Sequence, residues 1–252
     1  MKSIIFAAAA AVTFSACSKP SATAASRAPV AASVAAPAVA SMPASPVPTM
    51  SDWNAALSKL YVVSSKKDEG DGITSFFASF RVLAASDSKR KSHLIAFGKR
   101  DGFRKLDFYS TGIPMDLGTS LENYISLPDG ALPVLFLKPY FFSSKGWLFM
   151  NHVAVMVDGD VVFEHDFSNQ HLDTDQLPGG VEESYSFMAT PQDIDALRKV
   201  RPDSKVLIRI TGKKGYVTVE KMQTRTFISN IVDAIQLFDL MTAALKDHQP
   251  PT

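Results

Sequence analysis

The chain has 252 residues, with 26 Lys and Arg against 25 Asp and Glu, and a single cysteine, Cys17. So even a balance argues against nucleic acid as a partner, because the phosphate backbone rewards concentrated positive charge. One cysteine excludes an internal disulfide and leaves everything after residue 17 without a thiol nucleophile.

The N-terminus begins Met1-Lys2-Ser3, continues as an apolar run from Ile4 to Val12, and ends in Thr13-Phe14-Ser15-Ala16-Cys17. One positive charge, a run of roughly 7–15 apolar residues and then small residues form the pattern of a signal peptide. The run falls short of the roughly 20 apolar residues that a membrane-crossing helix needs. Residues 1–16 are therefore read as a leader cut before Cys17. Its loss removes Lys2 and no acid, so Lys and Arg fall from 26 to 25 and the mature chain is formally neutral. Phe14-Ser15-Ala16-Cys17 resembles the lipobox of bacterial lipoproteins, with Phe14 where Leu is usual. That resemblance implies acylation at Cys17, and two or more acyl chains hold a protein stably on a membrane. Ser18, rather than Asp, then implies the periplasmic face of the outer membrane.

Residues 17–50 read as the lipidated cysteine and a tether. From 18 to 49 only Lys19 and Arg27 are charged, and prolines recur at 20, 29, 37, 43, 46 and 48. Such a segment has nothing large to bury and does not offset its own ordering entropy. Fully extended, at about 3.1 Å per residue, it reaches on the order of 100 Å. From Ser51 to the end the chain is dense in apolar and aromatic residues, enough for one globular domain, expected to be monomeric in isolation.

Within the domain, Asp52 to Leu60 reads as a helix capped by Ser51 or Asp52. Residues 73–85 fit a helix through Ile73, Phe76, Phe77, Phe80 and Leu83, although the aromatics also suit a strand. His93 to Phe97, Lys105 to Ser110 and Leu132 to Phe142 read as strands. Gly146 to Val157 and Val161 to Phe167 flank Asp158-Gly159-Asp160, a strong hairpin signal, and Lys205 to Thr211 and Tyr216 to Met222 flank Gly212-Lys213-Lys214-Gly215. Thr190-Pro191-Gln192-Asp193 opens a helix with a threonine cap and proline at the first position. A long amphipathic helix is predicted from Gln223 to Leu245. The class is α+β: an antiparallel sheet or sandwich with a long C-terminal helix and shorter ones.

Chemistry is sparse. The densest polar patch is Glu164-His165-Asp166 with His171, Asp173 and Asp175, but alternation along a strand sends His165 away from its two neighbours. Asp173-Thr174-Asp175 lacks the glycine and terminal glutamate of a calcium loop. Asn151-His152 sits in an apolar strand, where a structural histidine is the simpler reading. No Gly-x-Ser-x-Gly elbow is present, adjacent Glu182-Glu183 in a loop sets no fixed carboxylate separation, and Gly-Lys-Lys-Gly joins two strands, unlike a phosphate loop. The expectation is a non-enzyme without metal or cofactor. Charge is segregated instead: Lys89-Arg90-Lys91 and Lys99 to Lys105, which includes Arg100 and Arg104, are basic, and Glu164 to Asp175 is acidic. Segregated charge steers protein partners. The expected contact residues are Lys89, Arg90, Lys91, Arg100, Arg104, Asp173 and Asp175, with Phe103 and Tyr124 as loop aromatics.

The leader, the Ala/Pro/Ser tether, and the ending Lys-Val-Leu-Ile-Arg-Ile-Thr-Gly-Lys-Lys-Gly-Tyr (205–216) before an amphipathic helix resemble periplasmic immunity lipoproteins. These neutralise interbacterial toxins delivered by type IV secretion in Xanthomonas-like bacteria. The resemblance implies an inhibitor that presents a surface to a secreted toxin. A structural or assembly lipoprotein of the envelope or a secretion apparatus, and a hydrolase with an unrecognised site, stay open beside it. Cys17→Ser is expected to leave the precursor uncleaved and unlabelled by radioactive palmitate, while the domain still folds. Labelling of the variant at the wild-type level would contradict the anchor.

Overall fold

A computed structural model describes residues 46–81, 93–112 and 118–251. The leader, Cys17, the tether up to residue 45 and Lys89-Arg90-Lys91 lie outside the described residues. All described elements belong to the unit Ser45–Thr252.

Helix α1 (Met50–Ser58) starts earlier than the sequence suggests, because its cap is Thr49. The Thr49 hydroxyl accepts the Asp52 N–H, and Asp52 Oδ2 accepts the Thr49 N–H at 2.9 Å, a capping box. Asp52 is thus the third helical residue and not the cap. Trp53 anchors the helix: it is 1% exposed, and its indole N–H donates to the Ala131 carbonyl at 3.1 Å.

The chain then runs β1 (Tyr61–Gly70), β2 (Ile73–Arg81), β3 (His93–Asp101), β4 (Leu106–Ser110), β5 (Ser120–Pro128) and β6 (Val134–Ser143). Next come β7 (Met150–Val157), β8 (Asp160–Asp166), β9 (Asp173–Leu177), β10 (Gly180–Ser184) and β11 (Phe187–Met188). Helix α2 (Pro191–Leu197), β12 (Val206–Gly212), β13 (Gly215–Thr218) and α3 (Lys221–Leu245) complete it. The larger antiparallel sheet is ordered β1-β2-β3-β4-β5-β6-β10-β9, with β11 also on β6; the smaller is β13-β12-β7-β8. One core joins both: Phe80, Tyr109 and Leu135 of the large sheet share it with Val153 and Ile208 of the small one and with Phe227 and Ile231 of α3. The fold is α+β, as the sequence leads one to expect.

Residues 73–81 correct the helical expectation. They form β2, hydrogen-bonded to β1 on one side and β3 on the other. Phe76, Ala78 and Phe80 face the core while Phe77 faces out, so a period of two underlies aromatics that also happened to fit a helical stripe. Residues 82–85 lie outside the described ones. The two hairpins form as expected. Asp158 (φ 53°) and Gly159 (φ 105°) are both left-handed, as the tight turn that follows strand twist requires. Thr190 caps α2 with Asp193 in a second capping box. Helix α3 begins two residues before the expected start and packs on β5, β6, β12 and α1. It is long and apolar enough to cross a membrane by length and composition, yet about half its residues are buried in this fold.

The sheets are riveted at one point. Glu183 on β10 is 0% exposed, and its carboxylate accepts the backbone N–H groups of Leu148, Phe149 and Met150 at 2.6, 2.9 and 2.7 Å. Phe149 adopts φ 54°, which turns successive amides toward one side. The carbonyls of the same segment accept from the β12–β13 turn: Lys213 N–H to Phe149 at 3.1 Å and Lys214 N–H to Leu148 at 3.3 Å. Gly212 permits this approach, since a Cβ there would stand 2.5 Å from the Leu148 oxygen.

Glu183→Ala strands buried amide donors, each costing about 1–3 kcal/mol. The expected loss is about 3 kcal/mol or more, read from the urea midpoint at neutral pH, with Glu182→Ala, which loses one hydrogen bond from Tyr140, expected to cost about 1 kcal/mol as the contrast. A Glu183→Ala chain as stable as the parent would refute the rivet.

Candidate binding site

The outer face of the large sheet carries a row of aromatic residues. Register aligns Phe77 on β2 with Phe97 on β3 and Ser110 on β4, and Tyr124 on β5 with Phe136 on β6 and Met188 on β11; the pairing of β4 with β5 stops one residue short of joining the two sets, at Tyr109 and Ile125. Tyr124 stacks on Phe136 with centroids 5.0 Å apart and planes within 2°. Phe108 meets Tyr124 edge-on at 6.0 Å, and Phe77 meets Phe97 edge-on at 5.5 Å. The row stays wet at one end: Phe77 is 44% exposed, and its neighbours Ile95 and Val62 are 66% and 72% exposed. Contiguous exposed apolar surface of this kind marks a place of interaction.

The row opens into a cleft. Pairing of β4 with β5 involves only Leu106–Tyr109 against Ile125–Pro128, so the start of β5 has no β4 neighbour. The chain after β4 turns instead toward α3, where Thr111 Oγ1 donates to the Asn230 carbonyl at 2.8 Å. Gly112 lies so close to the Asn230 side chain that a Cβ would come within 2.2 Å of it. The resulting cavity measures about 540 Å³ between Phe97, Phe108 and Tyr124 on the sheet and Gln223, Thr226 and Asn230 on α3. Its lining also holds Lys99, Lys138, Glu122 and Asp173; Lys138 and Glu122 form an ion pair at 3.7 Å. A second cavity of about 650 Å³ lies between the end of α2 and α3. There Arg198 is already held bidentately by Asp239, at 2.5 and 2.7 Å.

The contact residues expected from sequence fare unevenly. Tyr124 is no loop residue: it stands in mid-strand on β5, at the centre of the aromatic row. Phe103 does sit in a turn, 84% exposed, with its ring over Gly72. Arg100 is committed within the fold, donating to both Asp129 oxygens at 2.6 and 2.7 Å and lying 3.4 Å from Asp107. Those partners hold its guanidinium firmly charged, whereas burial pushes the Asp107 carboxyl up. Arg104 is likewise held by Asp101, whose carboxyl the Arg104 N–H keeps below the usual range. Both arginines of the run 99–105 are therefore neutralised locally. Asp173 and Asp175 lie on an exposed edge strand, β9, and not in a loop. The turn before β10 is Pro178-Gly179 with Gly179 at φ 107°, a Pro-Gly signal from which this hairpin could have been found. Glu182 and Glu183 therefore also leave the expected loop and point to opposite faces of β10: Glu182 accepts the Tyr140 hydroxyl at 2.7 Å while Glu183 is buried.

Among the described residues no cluster of three or more His, Cys, Asp and Glu side chains is placed to hold a metal. His152 lies 3.5 Å from Glu164 and opposite Asp166 in the register, while His165 takes the other face and stacks on Phe187 with centroids 3.8 Å apart. Burial lowers its pKa from the ordinary value of 6.5. The unfolded chain therefore takes up a proton near pH 6.5 while the folded one resists it, so stability is full above that pH and declines below it. His165→Phe keeps the ring stack and is expected to flatten the fall in urea midpoint between about pH 6.5 and 5. An unchanged slope would assign the fall elsewhere.

No protein family, curated protein or solved structure matches this chain.

Proposed function

We propose that the chain is a lipid-anchored envelope protein whose domain works by binding another protein, as an immunity protein against a secreted antibacterial toxin. The observation that carries the binding reading is the aromatic row of the large sheet. Val62, Phe77, Ile95 and Met188 remain between 44% and 72% exposed along it, on a hydrogen-bonded β-surface. Aromatic residues on such a surface lose little side-chain entropy on contact and dominate interface energies. The face supports the reading of a surface-presenting inhibitor better than the basic loops do, because Arg100 and Arg104 are spent on internal partners. The leader and the tether supply the location: a domain on a long leash at the membrane meets an incoming toxin before it reaches its target.

The experiment is co-expression of the full chain with candidate periplasmic toxins. Phe77→Asp and Ile95→Asp, both on the wet end of the row, are expected to fold and to lose protection and capture. The loss in affinity should be about 2 kcal/mol or more, roughly 30-fold. Arg104→Ala is expected to leave both intact. Protection that survives both aspartate variants would move the contact off this face. Failure to protect against any toxin would remove the immunity reading, and steady capture of an envelope assembly component would favour a structural lipoprotein.

A further inference from the structure

We propose that the cleft beside Tyr124 is a carbohydrate site that takes a neutral pyranose ring. The inference rests on the cavity alone and stands whether or not the outer face also captures a protein.

The decisive feature is a slot. Ser110 on β4 pairs with Phe97 on β3, and β4–β5 pairing ends one residue before it, at Tyr109 and Ile125, so continuing that register brings Ser110 beside Tyr124; all three line the cavity. Two strand spacings put the bases of the rings about 9.6 Å apart. Each ring already has an aromatic partner on its far side: Phe77 for Phe97 and Phe136 for Tyr124. Their inner sides therefore look onto the gap above Ser110, and Phe108 closes one end against Tyr124. A flat base held at about 3.5–4.0 Å on both sides fills only about 7–8 Å. A chair-shaped sugar ring is thicker, fills the remainder and presents C–H groups to both aromatic faces.

The polar lining points the same way. Lys99 and Lys138 are balanced by Glu122 and Asp173, which suits an uncharged ligand and disfavours a phosphate or polyanion. A fatty chain would want an apolar channel, whereas Thr226, Asn230 and Ser184 bring hydroxyls and amides to this wall. Within the wall, Ser120 stands on the Tyr124 side of β5, is 9% exposed, and its hydroxyl has no hydrogen-bond partner among the described residues. Buried polar groups are rarely left so. Its oxygen is shielded in the unliganded form, and turning toward a sugar hydroxyl would break no existing bond.

The test is isothermal titration calorimetry of the purified full chain with cellotriose and chitotriose, alongside adenosine and oleate. Saturable binding of at least one sugar with Kd about 1 mM or tighter is expected. Ser110→Phe fills the slot and should abolish binding, Tyr124→Ala should weaken it about tenfold, and Ser120→Ala should weaken it without lowering the Tm. If Ser110→Phe fails to fold, Tyr124→Ala and Ser120→Ala carry the test. The proposal is overturned if neither sugar saturates, if adenosine or oleate alone occupies the slot, or if folded variants bind sugar as the parent does.

Discussion

Three successive backbone amides, those of Leu148, Phe149 and Met150, converge on the buried carboxylate of Glu183. A carboxylate taken out of water is tolerable only where its oxygens are met by donors, and here the donors come from the segment that enters the small sheet. The carbonyls of that segment meet the turn between β12 and β13. A few peptide units therefore belong to both sheets at once. Both sheets flank α3, which packs on β5, β6 and β12, so the rivet helps fix where the helix runs. The wall of the cleft is made by that helix.

The cleft follows from a mismatch in length. Strand β4 has five residues and β5 has nine, so among the described residues β4 pairs with only the second half of β5, and Thr111 and Gly112 lead toward α3. Gly112 is what allows that exit to lie against Asn230. The gap interrupts the aromatic row between Ser110 and Tyr124. The apolar face and the recess thus share Phe97 and Tyr124.

Much of the fold was legible because it depends on local chemistry. Asp158-Gly159 demands left-handed φ at two places, and Thr190 with Asp193 closes a capping box within four residues. The 3.6-residue period of α3 survives over seven turns. The rest depends on partners far along the chain. Strand β1 is solvent-facing on both sides and shows no apolar alternation, so only its pairing with β2 makes it a strand. The same pairing turned 73–81 from an apparent helical stripe into β2. Asp173 to Leu177 read as a loop because its side chains are all exposed; it is held by backbone bonds to β10 that no side-chain pattern records. At the site, Tyr124 was singled out for being aromatic, but its place in the row needed the register of four strands. Ser110 and Ser120 had no signal at all: a small residue between two rings, and a hydroxyl buried at the start of β5, become meaningful only in three dimensions. Glu183 was visible only as half of a charged pair, since its partners lie more than thirty positions away.

Strand β1 is also the end of the large sheet, and an open edge ten residues long is a template on which a second chain could polymerise. The sequence there is Ser64-Ser65-Lys66-Lys67-Asp68-Glu69, and the register slips between Val63 and Ser65 and again between Asp68 and Gly70. An incoming strand would have to match two irregular steps and bring its own backbone past a bristle of opposite charges. The edge is thereby kept from seeding fibres, without any covering element among the described residues. The opposite edge, β9, carries Asp173 and Asp175 and is defended by like charge alone. A variant that neutralised β9 would be the easier route to stacked sheets, so these exposed acids guard an edge while contributing nothing to the core.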